Sequence, residues 1–451
     1  FMRSFRAVTW ESGPVLELLH SQGFSSRQDT FWELAFGADQ EPMALGASLA
    51  AAFGLLYIQD RSSMLPPLAL SPPPGARVLD MCASPGGKTG ILSLLVGEQG
   101  LVVGNEPNSK RLATLRANLL RMNAANTITC SYPGQELPFH DESWDYILLD
   151  PPCSGWGTVD KHPRVRTLWR EDKVKPLIGL QRALLAKAAR MLAPGGKLLY
   201  STCTTNPAEN EDQVIWVIEE LGLEVLPLEP FAGFSFERVH GSGHGPTQGA
   251  LRVDGEASMS QGFFLAKFTK PGKPMEQDTS ERWRVPRSAE QVDPSRLSGP
   301  ECDWSVLPIG RTVVFSERLM LLTETALESV PPELRWQGFP LGRVRGREFR
   351  PHPLARLLLP EPGARDSLNV ESIAGLEDLV AGRALVLPGK ETRPKQLALF
   401  YQDLGLGWAV AKGSRVLWSD KESRFRQGTS KEDRGKRESG KAKRAHRKKR
   451  P

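Results

Sequence analysis

The stretch "RVLDMCASPGGKTGILSLLV" (77–96) decides the fold. It opens on an apolar run that reads as a buried strand over 77–82 and closes on a helix over 87–96. Between them lie Ala83, Ser84, Pro85, Gly86 and Gly87, a tight turn of small residues. Just upstream, "SPPPGA" (71–76) breaks whatever precedes it. Downstream the two patterns keep alternating. Strands are expected at "GLVVGNE" (100–106), "TITC" (127–130), "WDYILLD" (144–150) and "KLLYSTC" (197–203). Helices are expected at 108–123, 177–192 and 208–221, and "QGFFLAKFTK" (261–270) closes the series as an edge-type strand. In 108–123, Leu112, Leu115, Leu119 and Met122 fall on one face. Strands and helices alternating at this spacing build a parallel α/β sheet with helices on both faces.

The chain is 451 residues, enough for two or three domains. Residues 1–65 read as a mostly helical lead-in that includes an early strand, "SFRAVTW". The alternating core runs over 66–270, a Pro- and charge-rich linker over 271–298, and a module of short strands and Gly/Pro turns over 299–420. From Lys421 to Pro451 there are 14 Lys/Arg against 4 Asp/Glu, so a net charge of +6 for the whole chain hides an acidic body and a basic tail. That tail lacks apolar residues and is expected to be disordered. Its charge suits RNA phosphates, although a merely solubilising tail would look the same. No apolar run is long enough to span a membrane. The five cysteines, Cys82, Cys130, Cys153, Cys203 and Cys302, are odd in number, widely spaced and free of CxxC pairs. Such usage argues against a disulfide framework or a zinc site and fits a reducing cytoplasm.

In an open parallel sheet, ligands bind at the carboxyl ends of the strands, and four polar signals sit at such ends. The first is the loop from Cys82 to Lys88, whose small residues let a ligand approach the backbone at a helix N-terminus. It is neither a Walker loop nor GxGxxG, so nothing in it favours a pyrophosphate. The second is Glu106, placed to take a ribose diol. A nucleoside without a dinucleotide fingerprint makes S-adenosylmethionine the economical choice. The third is "LLDPPCSGWGTVDKHP" (148–163), a proline-stiffened loop presenting Asp150 and Cys153. The fourth is "YSTCTTNPAENEDQV" (200–214), where Cys203 ends the strand expected next to that of Asp150. The two thiols could form a disulfide, hold a metal, or serve two separate chemical roles.

Together these motifs resemble the Sun-type family of S-adenosylmethionine-dependent RNA cytosine-C5 methyltransferases, most of all the bacterial ribosomal small subunit methyltransferase F type. The resemblance covers roughly Leu45 to Lys270. It implies a Rossmann-like methyltransferase sheet. "QGFPLGRVRGREFRPHPLARLL" (337–358) and "LGLGWAVAKGSRVLWS" (404–419) are similar to the family's PUA-like RNA-binding modules. Trp336, Arg343, Arg345 and Arg347 would hold RNA there, or Trp336 would be core and the arginines a solvated edge. The resemblance further implies catalysis by Cys203, Cys153, Asp150 and Lys88. Cys203 would attack cytosine C6, Cys153 would assist loss of the C5 proton, and Asp150 and Lys88 would contact the ring. The cofactor would lie against Cys82, Ala83, Ser84, Pro85, Gly86, Gly87, Lys88, Glu106, Arg111 and Asp150. No metal is implied. The expected partner is RNA, specifically small-subunit (16S) rRNA reached as an unstacked base, and the protein is expected to act as a cytoplasmic monomer. A tRNA methyltransferase, or an assembly factor with an inactive core, are the alternatives. Two positions depart from the family. After the third strand the chain reads "TCSYPGQELP", without the family's acid, and "FRAVTWE" has Val8 where relatives have Asn. "LRVDGEASMSQGFF" (251–264) loosely matches a later arginine segment.

Overall fold

A computed structural model describes residues 3–158, 171–237, 247–273, 285, 289–387 and 395–418; the basic tail and "DKHP" lie outside them. Five parallel strands form the centre of a sheet, in the spatial order Leu192–Thr202, Trp144–Leu149, Arg77–Asp80, Leu101–Asn105, Thr127–Cys130. The chain enters at Arg77–Asp80, steps outward to one side, then returns and steps to the other. The reversal lies between Arg77–Asp80 and Trp144–Leu149, and in such a sheet the ligand crevice is expected there, at the strands' carboxyl ends. Val78, Leu79, Val102, Val103, Ile147 and Leu148 are buried, as strands covered on both faces require. Helix Ser109–Arg121 is capped by Asn108, whose side chain accepts from the Lys110 and Arg111 amides, and it buries Leu112, Leu115 and Leu119. Helix Glu171–Met191 begins six residues before the expected start and runs through Pro176.

The strand Phe263–Thr269 is not an edge. It pairs antiparallel with Leu192–Thr202 on one side and with Leu251–Val253 and Glu224–Leu226 on the other. Its four leading residues are all buried, which an exposed edge would not tolerate. At the opposite margin, Trp336–Gln337 of the C-terminal region pairs antiparallel with Thr127–Cys130. The sheet is therefore mixed and ten-stranded.

The lead-in is not mainly helical. It is a four-stranded antiparallel sheet, Ser25–Gln28, Ala35–Gln40, Ser4–Ala7, Leu56–Ile58, carrying helices Gly13–Ser21 and Leu49–Ala52. The alanines of "LGASLAAAFG" (45–54) favour helix, yet Gly54 at φ +71° ends it after one turn. The strands are three to six residues long, too short for alternation to declare itself.

The C-terminal region holds two five-stranded sheets. One contains the hairpin Gly310–Phe315 and Arg318–Thr323, turned by Ser316 and Glu317 at φ 49° and 62°, the left-handed pair of a type I′ turn. N- and C-terminal regions share a core: Phe5, Leu45 and Phe53 cluster with Leu376, Leu397, Leu399 and Trp418. Arg356 joins all three parts, donating to the carbonyls of Phe53 (2.5 Å) and Arg121 (3.0 Å).

Candidate active site

The turn after Arg77–Asp80 is held from below. Thr89 Oγ1 donates to Asp80 Oδ2 (2.7 Å), and the Ala83 amide donates to the Asn105 carbonyl (2.9 Å). Gly86 sits at φ +107° before helix Gly87–Val96, a backbone state that a side chain would strain. Burial pushes the Asp80 carboxyl up to about 6, against the opposing Thr89 hydrogen bond. Cys82 is also driven upward, by burial first and then by the surrounding carboxylates of Asp80, Asp150 and Glu106. Glu106 is buried at the end of the second core strand, where it accepts the Asn108 amide (2.9 Å) and pairs with Arg111 (3.1 Å). Arg111 also donates to the Ser84 carbonyl (3.0 Å), tying the acid to the loop. Beyond the third strand, where the family's acid is missing, Asn105 brackets Tyr132. It donates to the Tyr132 carbonyl (2.9 Å) and accepts its amide (3.0 Å).

Asp150 stands at the crevice. Its Oδ2 accepts Lys88 Nζ at 2.7 Å and its Oδ1 accepts Ser201 Oγ at 2.8 Å. Burial alone would lower the Lys88 ammonium. The charge and hydrogen bond of Asp150 outweigh it, so Lys88 is raised above its ordinary value and stays protonated.

Cys153 and Cys203 meet beside this pair. Their sulfurs are 3.3 Å apart, a hydrogen-bonding contact between two free thiols, well beyond the 2.0–2.1 Å expected of a disulfide. The Cys203 thiol is lowered, first by the hydrogen bond from Cys153, with burial and Asp150 opposing and Lys88 assisting. Cys153 moves the other way, pushed well up by that same bond, by burial and by the negative charge it faces. Of the two thiols, Cys203 is the one the surroundings favour for ionisation, with Cys153 as its hydrogen-bond donor. The approach of the two loops needs glycine: a Cβ on Gly157 would lie 2.7 Å from the Cys203 carbonyl oxygen and 2.6 Å from that of Gly262. Among the described residues no cluster of three His, Cys, Asp or Glu could hold a metal.

Sequence reading missed the support of these loops. Glu209 is fully buried and accepts four hydrogen bonds. They come from the Ser154 amide (2.9 Å), Ser154 Oγ (2.5 Å), Gln181 Nε2 (3.0 Å) and Asn206 Nδ2 (3.1 Å). It joins the Cys153 loop to the turn that follows Cys203. Arg252, in the loosely matched segment, donates to the Thr205 carbonyl (2.9 Å) and pairs with Glu211. On the other wall, Arg6 is fully buried; among the described residues it meets carbonyls, the Met122 sulfur and the Tyr57 ring, and it reaches the Gly87 carbonyl (3.3 Å). Burial lowers it to about 10. The acid-rich run "NPAENE" was the available signal for Glu209, but nothing local distinguishes its buried acid from the exposed ones.

A profile described as 16S rRNA methyltransferase RsmB/F matches residues 67–269. The chain is 30% identical to the ribosomal RNA small subunit methyltransferase F of Pectobacterium atrosepticum, over 89% of this chain and 84% of the relative. It is 38% identical to that of Shewanella loihica over 54% of this chain, spanning half the relative's length. A solved structure, a methyltransferase homolog protein from Pyrococcus horikoshii, superposes with a TM-score of 0.52 at 33% identity, covering 60% of this chain and 86% of that one. With one relative matched along most of both chains and the core matched by the family profile, the chain belongs to the 16S rRNA methyltransferase RsmB/F family.

Proposed function

We propose that the protein transfers a methyl group to carbon 5 of a cytosine in small-subunit rRNA, with Cys203 as the nucleophile. S-adenosyl-L-methionine supplies the methyl group. The donor set suits it: a buried acid, Glu106, for ribose hydroxyls, small residues from Ala83 to Gly87 against which a nucleoside can lie, and carboxylates for the cationic methionine end. Cys82, Lys88, Arg111 and Asp150 complete that surface.

Carbon 5 of cytosine is a poor nucleophile. In the proposed sequence the Cys203 thiolate adds to C6, and the C5–C6 π pair moves to C5. C5 then takes the methyl carbon, whose old bond pair leaves with the donor sulfur. Loss of the C5 proton, assisted by Cys153, returns a pair to the ring, breaks the S–C6 bond and frees Cys203. Asp150, oriented by Lys88 and Ser201, would meet the ring edge and stabilise its protonated form. The observation that supports this reading most is the thiol pair at 3.3 Å, polarised toward a Cys203 thiolate beside a cation.

Cys203→Ala is expected to abolish methyl transfer to rRNA while S-adenosylmethionine still binds. Cys153→Ala is expected to accumulate a protein–RNA adduct that survives denaturing gels. Wild-type transfer by Cys203→Ala would overturn the mechanism. Bisulfite mapping of ribosomal and transfer RNA, with and without the protein, identifies the base and the RNA.

A further inference from the structure

Four residues of the C-terminal region stand directly opposite one another across four neighbouring strands. Phe315 faces Arg318, Arg318 faces Arg343, and Arg343 faces Arg350. Opposed residues in antiparallel strands project from the same face, so this is one row: an exposed aromatic ring followed by three guanidinium groups, at a strand spacing of about 4.8 Å. All four are exposed. Like charges placed directly opposite destabilise a sheet, and here two such pairs occur in succession. Arg350 is partly compensated by Glu348 at 3.1 Å, which Lys395 shares. Among the described residues, neither Arg318 nor Arg343 has an acidic partner. The adjacent Arg345, by contrast, pairs with Glu317 at 3.3 Å.

The row leads into a cleft of about 770 Å³ between this sheet and the methyltransferase core, lined by Arg318, Phe315, Trp336, Arg116 and Tyr132. Arg116 projects from core helix Ser109–Arg121 and bonds Thr129 Oγ1 (2.9 Å). Tyr132 belongs to the segment that Asn105 locks at the carboxyl end of the sheet. One wall of the cleft is thus continuous with the strand ends that form the candidate active site.

We propose that this row and cleft bind single-stranded RNA flanking the target base. Arg318 and Arg343 take consecutive phosphates, and Phe315 stacks a base at the cleft mouth. The inference rests on the RNA substrate reading above and adds the surface that grips it. Uncompensated cations in a line select a polyanion, and an exposed ring at the end of that line suits a nucleobase.

The test uses the full chain and a fluorescein-labelled single-stranded RNA 12-mer, with anisotropy titrations at several salt concentrations. Arg318→Ala/Arg343→Ala is expected to weaken binding and to flatten the plot of log affinity against log salt by about 1.4, the contribution of two phosphates on a single strand. Its thermal midpoint should be unchanged or higher, because repulsion is relieved. Arg345→Ala removes the same charge from a residue already paired and should leave the slope alone. Phe315→Ala should weaken binding about five-fold or more with little change in slope. An unchanged slope in the double variant overturns the proposal, as does loss of binding to polyglutamate with RNA binding intact, which would mark a docking face for an acidic protein. Methyl transfer to rRNA is measured alongside. If the wild type methylates and the double variant keeps its slope, only the row is refuted. If the slope falls but the wild type transfers no methyl, the row stands and the enzymatic reading fails.

Discussion

Glu209→Gln is nearly isosteric, so its effect isolates charge and hydrogen-bond polarity. The carboxylate accepts two donors on each oxygen. An amide oxygen can keep one such pair; its NH2 must face the other. Turned toward Ser154 Oγ and Asn206 Nδ2, the NH2 can donate to the serine hydroxyl, which rotates. It cannot accept from Asn206, whose own amide is fixed because its oxygen accepts the Ala208 amide (3.2 Å). Turned the other way, it confronts the Ser154 backbone amide and Gln181, which also donates to the Pro152 carbonyl (3.0 Å). The better placement loses one bond to a charged acceptor, about 1.5–3 kcal/mol, and leaves the half-buried Asn206 amide short of an acceptor for about 1 kcal/mol more. The thermal midpoint should then fall by about 5 °C or more. The Cys153 loop, no longer pinned at Ser154, should slacken its bond to Cys203, so the acid limb of the pH–rate profile moves to higher pH. Calorimetry and single-turnover transfer to rRNA over pH 5–9 measure both. A variant with wild-type melting and an unmoved acid limb would refute the reasoning.

Lys88→Met should leave Asp150 without its cation and Cys203 without a supporting charge, cutting single-turnover transfer about 100-fold or more and moving the same limb upward. Iodoacetamide at neutral pH, followed by peptide mass spectrometry, should label Cys203 before Cys130 or Cys302, whose thiols burial pushes up to about 12; equal labelling would contradict a Cys203 thiolate. Asp80, at about 6 in the fold against an ordinary 3.8, stabilises the fold fully below pH 3.8, and that contribution is lost as pH rises through about 6. The loss is worth about 3 kcal/mol. The melting difference between wild type and Asp80→Asn should therefore grow from pH 4 to 7 in the variant's favour, and a flat difference would exclude a strongly raised Asp80.

The alternating core is readable from sequence because each buried strand is a short apolar run and each helix carries a periodic face, both local signals. The crevice residues follow from it: once Asp150 and Cys203 are put at the ends of neighbouring strands and Lys88 at a helix start, the parallel register brings them together. Glu209 and Arg6 escaped because their importance comes from what surrounds them, and a buried charge looks in sequence like any surface charge. Helical expectation for the lead-in rested on "GPVLELLHSQG" and "LGASLAAAFG", which do carry its two helices, whereas the short strands around them are set by pairing with one another across the chain. Trp336–Gln337 is the extreme case: two residues become a strand only because Thr127–Cys130, some two hundred positions earlier, offers an unpaired margin.

That small pairing has a practical consequence. Cutting the chain at its linker to obtain the methyltransferase region alone would uncover the amides and carbonyls of Thr127–Cys130 and strip the Trp336 indole from the core cluster that includes Cys130. A bare, apolar margin of this kind invites a second copy to add itself. The excised fragment should self-associate, and a solubility screen of truncations should favour those that retain residues through Gln337 or replace the lost cover with charge.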